Sequence, residues 1–344
     1  MSPEEQRRYA RQTVLPGIGP AGQEKLAAAH VLIVGCGGLG GPAAAYLTGA
    51  GIGTLTLVDG DQPEVSNLHR QVFFATGACG NKAELLAQHC LSLNPGTCVR
   101  AEKTYLDARN VKQLVTEADL VLDCTDDAAT KHLLNDACVL LKTPLIYAAA
   151  QGFEGYLALF SNQEANGVHL RDLFPAPDPT LPDCATTGVL PTAVGTVALL
   201  QANATLCYLL GIGTPPVDTL HTFSALDNRQ HRLRIRKTYH QAIVPPWGQP
   251  RPSRAELETD NADFSAYATV FSMLDKVREP EVPAGVVRLT KRDPLGQCLA
   301  HMEDGKRYLL YCNSGKLSLV LAAQIRKSRP LIDVFSLRRG RTAH

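Results

Sequence analysis

The sequence predicts an α/β protein: a Rossmann-like, doubly wound sheet followed by a smaller α/β unit. Three observations carry this expectation. Apolar strand-like runs alternate with helical patterns up to about residue 240. The run Val31-Leu-Ile-Val-Gly-Cys-Gly-Gly-Leu-Gly40 passes from a buried strand through a glycine turn into an Ala-rich helix. A stretch rich in Pro and polar residues, Val244 to about Asp263, then sets off a C-terminal segment with its own strand, loop and helix.

The elements follow in order. Gly35, Gly37 and Gly40 form G-x-G-x-x-G, with Gly38 inside it. Glycines there permit a sharp turn and bring backbone N–H groups against a phosphate at a helix N-terminus. The next strand, Thr54 to Val58, ends in Asp59, placed to accept hydrogen bonds from a ribose. A polar segment runs from Asp59 to Gln71, and a helix begins near Asn81 and stops at Asn94-Pro95. Leu120 to Asp123 reads as a short buried strand, after which Thr125-Asp-Asp127 caps a helix to about Lys142. Leu145 to Ala148 and Gly155 to Ser161 are further strands. The prolines between Phe174 and Pro182 require a loop, which leads through Cys184 into an apolar helix from about Leu190 to Leu210. That helix contains Gln201 and Asn203 and reads as a core helix. Thr219 to Leu226 and His231 to Ile235 are β-like and close a first domain, 1–243. A linker over 244–263 and a second domain over 264–344 complete the expected organisation. In the second domain Tyr308 to Cys312 is a strand and Lys316 to Lys327 a helix.

Composition bounds the possibilities. A chain of 344 residues, 45% hydrophobic and 19% charged, suits about two globular domains with sizeable cores. A formal net charge of +1 gives no reason to expect a nucleic-acid or membrane partner. The N-terminus has no apolar run resembling a secretion signal. Ten scattered cysteines without a C-x-x-C pair suggest reduced thiols and a cytoplasmic protein.

Polar residues downstream of the glycines bear on which nucleotide is held. Ser66-Asn67-Leu-His-Arg70-Gln71, Lys82, Asp126 with Asp127, and Arg11 recur at strand and helix ends. A nicotinamide enzyme needs none of them. A triphosphate gives each a role, since cations offset its charge and a carboxylate can hold Mg²⁺. Taken singly, each cation is an ordinary solvated side chain and each aspartate an ordinary N-cap. Their joint order is the informative feature. An NAD-dependent oxidoreductase is the competing reading, and it leaves Arg70, Lys82 and Asp126 without a purpose.

The ordered set R-Y-x-R-Q, G-x-G-G-L-G, V-D-x-D, S-N-L-x-R-Q, G-x-K and D-C-T-D resembles the ubiquitin-activating superfamily over roughly residues 4 to 240. The likeness is to its bacterial sulfur-carrier branch of ThiF, MoeB and HesA type. The resemblance implies that the glycine loop, Asp59 and Asp61 hold adenosine and phosphates of ATP. It implies phosphate contacts for Asn67, Arg70 and Lys82, a place at the nucleotide for Ser66, and work with Mg²⁺ for Asp126. Arg11 is implied to reach the other subunit's site, and hence a homodimer. The implied reaction is adenylation of the C-terminal glycine of a ubiquitin-like sulfur carrier ending in Gly-Gly, followed by sulfur transfer to a thiocarboxylate. An adenylating enzyme acting on another peptide is an alternative.

The chain departs from that pattern in two places. Where many relatives carry two C-x-x-C pairs for zinc, this chain has Asn166 and His169, then His240 and Ile243. No zinc is expected, and both histidines read as ordinary surface residues. Asp127 stands where the family usually has Asn, and it is either a charge beside the nucleotide or a helix cap.

The cysteines divide into two groups. Cys36, Cys124 and Cys138 sit in strand or helix contexts and read as core fillers. Cys184 occupies the loop where relatives place a reactive cysteine. Cys312, in Cys-Asn-Ser-Gly-Lys-Leu-Ser318, resembles the C-x-x-G-[KR]-x-S loop of rhodanese-like sulfurtransferases, without an arginine at Leu317. The stretch Asp275-Lys-Val-Arg-Glu-Pro280 is similar to another motif of that family, with one residue inserted. This resemblance implies a persulfide sulfur donor at Cys312; a degenerate docking domain with a buried cysteine is the alternative.

Overall fold

The computed structural model describes residues 1–164, 166–177, 188–247, 254–290, 292–313, 315–338 and 340. They form two compact units that divide near residue 248. The first is built on an eight-stranded sheet of order β3-β2-β1-β4-β5-β6-β7-β8. Strands β1 (His30–Val34), β2 (Thr54–Val58), β3 (Cys98–Glu102), β4 (Leu120–Asp123) and β5 (Leu145–Gln151) are parallel. Strands β6 (Glu154–Phe160), β7 (Thr219–Ser224) and β8 (Gln230–Arg234) extend the sheet as an antiparallel meander.

Alternation along β1 assigns its two faces. Val31 and Ile33 face α3 (Gly40–Ala50), α4 (Lys82–Leu93) and α7 (Pro191–Leu210), in a core with Leu47, Leu86 and Val197. Leu32 and Val34 face α5 (Val111–Thr116) and α6 (Ala128–Leu141), in a core with Val115, Leu134 and Cys138. Helix α7 is long and apolar enough to cross a bilayer by length and composition alone, and here it packs on α3, β5 and β6. The apolar core expected of it is present at Ala193, Val194, Val197 and Ala198.

Within the first unit, two helices, a strand and a further helix lie outside the elements read from the sequence. Helices α1 (Pro3–Thr13) and α2 (Gly19–Ala28) precede the first strand, and α1 starts in a Ser2–Glu5 capping box. Strand β3 and helix α5 are the others.

The second unit holds a five-stranded, wholly parallel sheet of order β11-β10-β12-β13-β9. Its strands are β9 (Glu258–Thr259), β10 (Thr269–Ser272), β11 (Val286–Arg288), β12 (Arg307–Tyr311) and β13 (Asp333–Leu337). Helices α8 (Pro294–Leu299) and α9 (Lys316–Ser328) accompany it, and Phe271, Leu310, Leu321, Ile325 and Val334 form its core. Both ends of the stretch read as a linker, 244–263, are structured. Trp247 packs on the first unit's core, and Leu257 is 3% exposed in the second unit's core. An apolar residue that can bury itself does so, and the Pro-rich composition around it does not prevent this.

Candidate nucleotide site and candidate thiol site

Strand register sets the first site. Val34 pairs with Val58 on one side and with Asp123 on the other, so Gly35, Asp59 and Cys124 leave the sheet at one edge. The chain order reverses between β1 and β4, which opens a crevice at the carboxyl ends of the strands.

The glycine loop lies in that crevice. Gly35 adopts φ +94°, and a Cβ there would stand 2.6 Å from the Cys124 carbonyl oxygen. At Gly38 a Cβ would press on Val194 at 2.7 Å and on the Arg70 carbonyl at 3.2 Å. The segment Ser66–Gln71 is thus laid directly on the loop. Within it, Arg70 Nη2 donates to Asn67 Oδ1 at 2.9 Å, and both side chains are half-buried, while Ser66 is exposed.

Asp59 is built into the loop. Its Oδ2 accepts from the Cys36 N–H and its Oδ1 from the Asp61 N–H, each at 2.8 Å. Burial pushes its pKa up, against the nearby Lys82 ammonium. Each oxygen retains acceptor capacity for a ribose hydroxyl. Asn81 caps α4 by accepting from Ala83 N–H, and its amide donates to the carbonyls of Asp59 and Asp61. The cap places Lys82 beside the loop, its side chain 6% exposed and its Nζ 3.6 Å from Asp61 Oδ2.

Asp126 is exposed just beyond the end of β4, beside the crevice. Asp127 serves as the N-cap of α6, its Oδ2 accepting from Thr130 N–H at 2.7 Å and Thr130 Oγ1 at 2.6 Å. Of the two readings for Asp127, geometry favours the cap.

Arg11 is not brought to this crevice. Its neighbours hold α1 at the far end of α3: Gln12 Nε2 donates to the Ala50 carbonyl, and Asn94 Nδ2 donates to Tyr9 Oη. Helix α3 is 11 residues long, which puts that end about 15 Å from the glycine loop at ~1.5 Å per residue.

Sequence reasoning missed a polar network under the crevice. Asp123 is fully buried and receives Lys131 Nζ at 3.0 Å, and the same ammonium donates to the Ala148 carbonyl at 3.1 Å. Gln201 donates to the carbonyls of Asp123 and Ile146 and accepts from Cys124 Sγ. Gln201 was a visible signal, since a buried amide in an apolar helix needs partners.

The region around His169 holds another device. Asp172 accepts from the N–H groups of His169, Thr238 and Tyr239 at 2.7–2.8 Å, with Lys237 Nζ at 3.4 Å. Burial raises its pKa, but these donors outweigh burial and the net shift is downward. His169 is buried rather than a surface residue, correcting the expectation, because its ring packs on Tyr239 and its backbone joins this cluster. His240 is exposed as expected. Among the described residues no three His, Cys, Asp or Glu side chains are grouped to hold a metal ion.

Cys184 lies outside the described residues. Cys36, Cys124 and Cys138 are buried, and burial pushes each thiol pKa up, as fits core positions.

Cys312 follows β12 and precedes the 13-residue helix α9, whose N-cap Gly315 adopts φ +81°. Its thiol is buried, with Ser318 Oγ at 3.4 Å, and Ser318 Oγ lies 2.8 Å from Ser336 Oγ. Glu279, inside the 275–280 stretch, accepts from Ser272 Oγ at 2.5 Å and from Tyr311 Oη at 2.6 Å. This ties that stretch to the residue preceding Cys312.

A sheet parallel over β1 to β5, with a glycine loop at its switch point, Arg70 packed on that loop and Lys82 beside Asp61, defines a Rossmann-like fold of the nucleotide-binding kind. The ThiF family model matches residues 9–243, and the chain belongs to that family. It is 42% identical over 248 residues to the adenylyltransferase and sulfurtransferase uba4 of Aspergillus niger, covering 68% of this chain and 52% of that one. The chain thus spans about half the length of that relative. It is 41% identical over 240 residues to the sulfur carrier protein adenylyltransferase of Thermus thermophilus, covering 68% of this chain and 89% of the relative. Among solved structures, Escherichia coli MccB superposes with a TM-score of 0.60 at 21% identity, over 69% of this chain and 72% of that one, a likeness of fold.

Proposed function

We propose that this protein adenylates the C-terminal glycine of a ubiquitin-like sulfur carrier with ATP and then passes sulfur to it. The observation that carries the reading is Arg70 packed on Gly38 of the glycine loop with the Lys82 ammonium near Asp59 and Asp61, in a chain similar to enzymes named for this activity. A carrier carboxylate oxygen attacks the α-phosphorus, the bond to the β-phosphate oxygen breaks, and pyrophosphate departs. The carboxylate is already ionised, so the chain needs no general base. Its residues align the reactants and stabilise charge on phosphate oxygens, Lys82 and Arg70 from this protomer. Arg11 sits away from its own crevice, which suits delivery to the site of a second copy in a homodimer.

Asp126 offers a hard, exposed carboxylate, the donor that Mg²⁺ takes alongside phosphates and water. Mg²⁺ bound there would neutralise charge on the phosphates. The second unit then supplies sulfur. A Cys312 persulfide attacks the acyl carbon and AMP leaves, giving an acyl disulfide. A second thiol, from Cys184 or a small dithiol, attacks Cys312 Sγ and releases the carrier thiocarboxylate. The setting proposed is the cytoplasm, without nucleic-acid or membrane partners.

Intact-mass analysis tests this: the full chain is incubated with a Gly-Gly-ended carrier, Mg-ATP and a persulfide donor. The expected result is a carrier thiocarboxylate, with Cys312→Ala stopping at the adenylate. A carrier that remains unmodified overturns the reading.

A further inference from the structure

Tyr105 belongs to the segment after β3, outside every motif so far assigned a role. Its hydroxyl donates to Asp61 Oδ1 at 2.5 Å, and the other oxygen of that carboxylate is the one near Lys82, at 3.6 Å. The ring lies flat on Gly60, where a Cβ would meet three ring atoms at 2.7 Å. The tyrosine is itself fixed from behind: Asn110 Nδ2 donates to the Tyr105 carbonyl at 2.9 Å, and Asn110 Oδ1 accepts from the Asp107 N–H at 2.8 Å.

The backbone of Asp61 is equally held, its carbonyl accepting from Lys82 N–H at 2.8 Å and Asn81 Nδ2 at 3.2 Å. The remaining freedom of Asp61 is in its side chain, which is 34% exposed. Tyr105 removes that freedom. With Oδ1 occupied, one oxygen faces Lys82, and 3.6 Å is too long for a strong ammonium–carboxylate hydrogen bond. Among the described residues the ammonium is oriented by charge toward Asp61, and no hydrogen bond from its N–H donors is formed.

We infer that Tyr105 is a positioning residue for the triphosphate end of the nucleotide, acting through Asp61 to keep Lys82 oriented but not fully neutralised. This rests on the ATP reading above. Without the hydroxyl, the carboxylate turns both oxygens toward Lys82, and a phosphate must compete with it for the ammonium. The adenosine end is untouched by the change.

The test is Tyr105→Phe in the full chain, which keeps the ring on Gly60. Mg-ATP and adenosine are titrated separately by calorimetry, and pyrophosphate exchange is measured against ATP concentration. The expected result is ATP affinity weaker by about five- to tenfold, the net effect of one ordinary hydrogen bond. Adenosine affinity is unchanged, and the exchange rate at saturating ATP falls by less than the affinity. Equal affinity of variant and wild type for ATP overturns the inference, as does an equal loss for ATP and adenosine, which marks a merely structural role. A wild-type chain that does not bind Mg-ATP overturns the ATP reading itself, and this inference with it.

Discussion

The buried imidazole of His169 makes a sharp prediction about acid stability. Burial, with the Lys237 ammonium adding to it, lowers the His169 pKa to about 4, while Asp172 opposes the shift. In the unfolded chain a histidine titrates near 6.5. As pH falls below about 6.5, the unfolded state binds a proton that the native state refuses until about pH 4. Stability from the neutral ring is therefore complete above the unfolded value and is lost on acidification through that window. The slope is about 1.4 kcal/mol per pH unit. Some 2.5 units set an upper value of ~3.4 kcal/mol for the whole window, and stopping at about pH 4.5, above the folded value, leaves about 2 kcal/mol. Replacing His169 by Gln removes the titration. Urea unfolding of both proteins between about pH 7 and pH 4.5 should show the wild type losing roughly 2 kcal/mol more than the variant. A difference that stays constant across that range refutes the argument.

Other expectations concern the crevice. Lys82→Ala should slow ATP–pyrophosphate exchange about a hundredfold or more, the effect of deleting a preorganised phosphate cation. Gly40→Ala places a methyl on the Gly35 carbonyl oxygen and forces the loop open, so calorimetry should find Mg-ATP binding lost. Asp127→Ala removes the α6 cap and should cost about 1 kcal/mol in urea unfolding, the usual worth of an N-cap.

Much of the crevice was legible in sequence because its parts are local. The strand–glycine–helix run, the Asn81 cap and the Asp127 cap each depend on residues a few positions apart. Tyr105 and Lys131 were not legible, since their partners Asp61 and Asp123 are chosen by the sheet rather than by spacing. Asp172 was missed for the same reason: its acceptor role appears once 237–239 folds back on it. Strand β3 lies at the sheet edge with no fully buried face, so it lacks the apolar run that marks β1. In the second unit, β9 and β11 have two and three residues, too short for a period to show.

The central claim is that the glycine loop holds ATP as a substrate. ATP–pyrophosphate exchange with the full chain, Mg²⁺ and a Gly-Gly-ended carrier tests it most directly. Label should pass from pyrophosphate into ATP when the carrier is present and not when its last glycine is removed. Absence of exchange with intact carriers, together with tight NAD binding, would contradict the account.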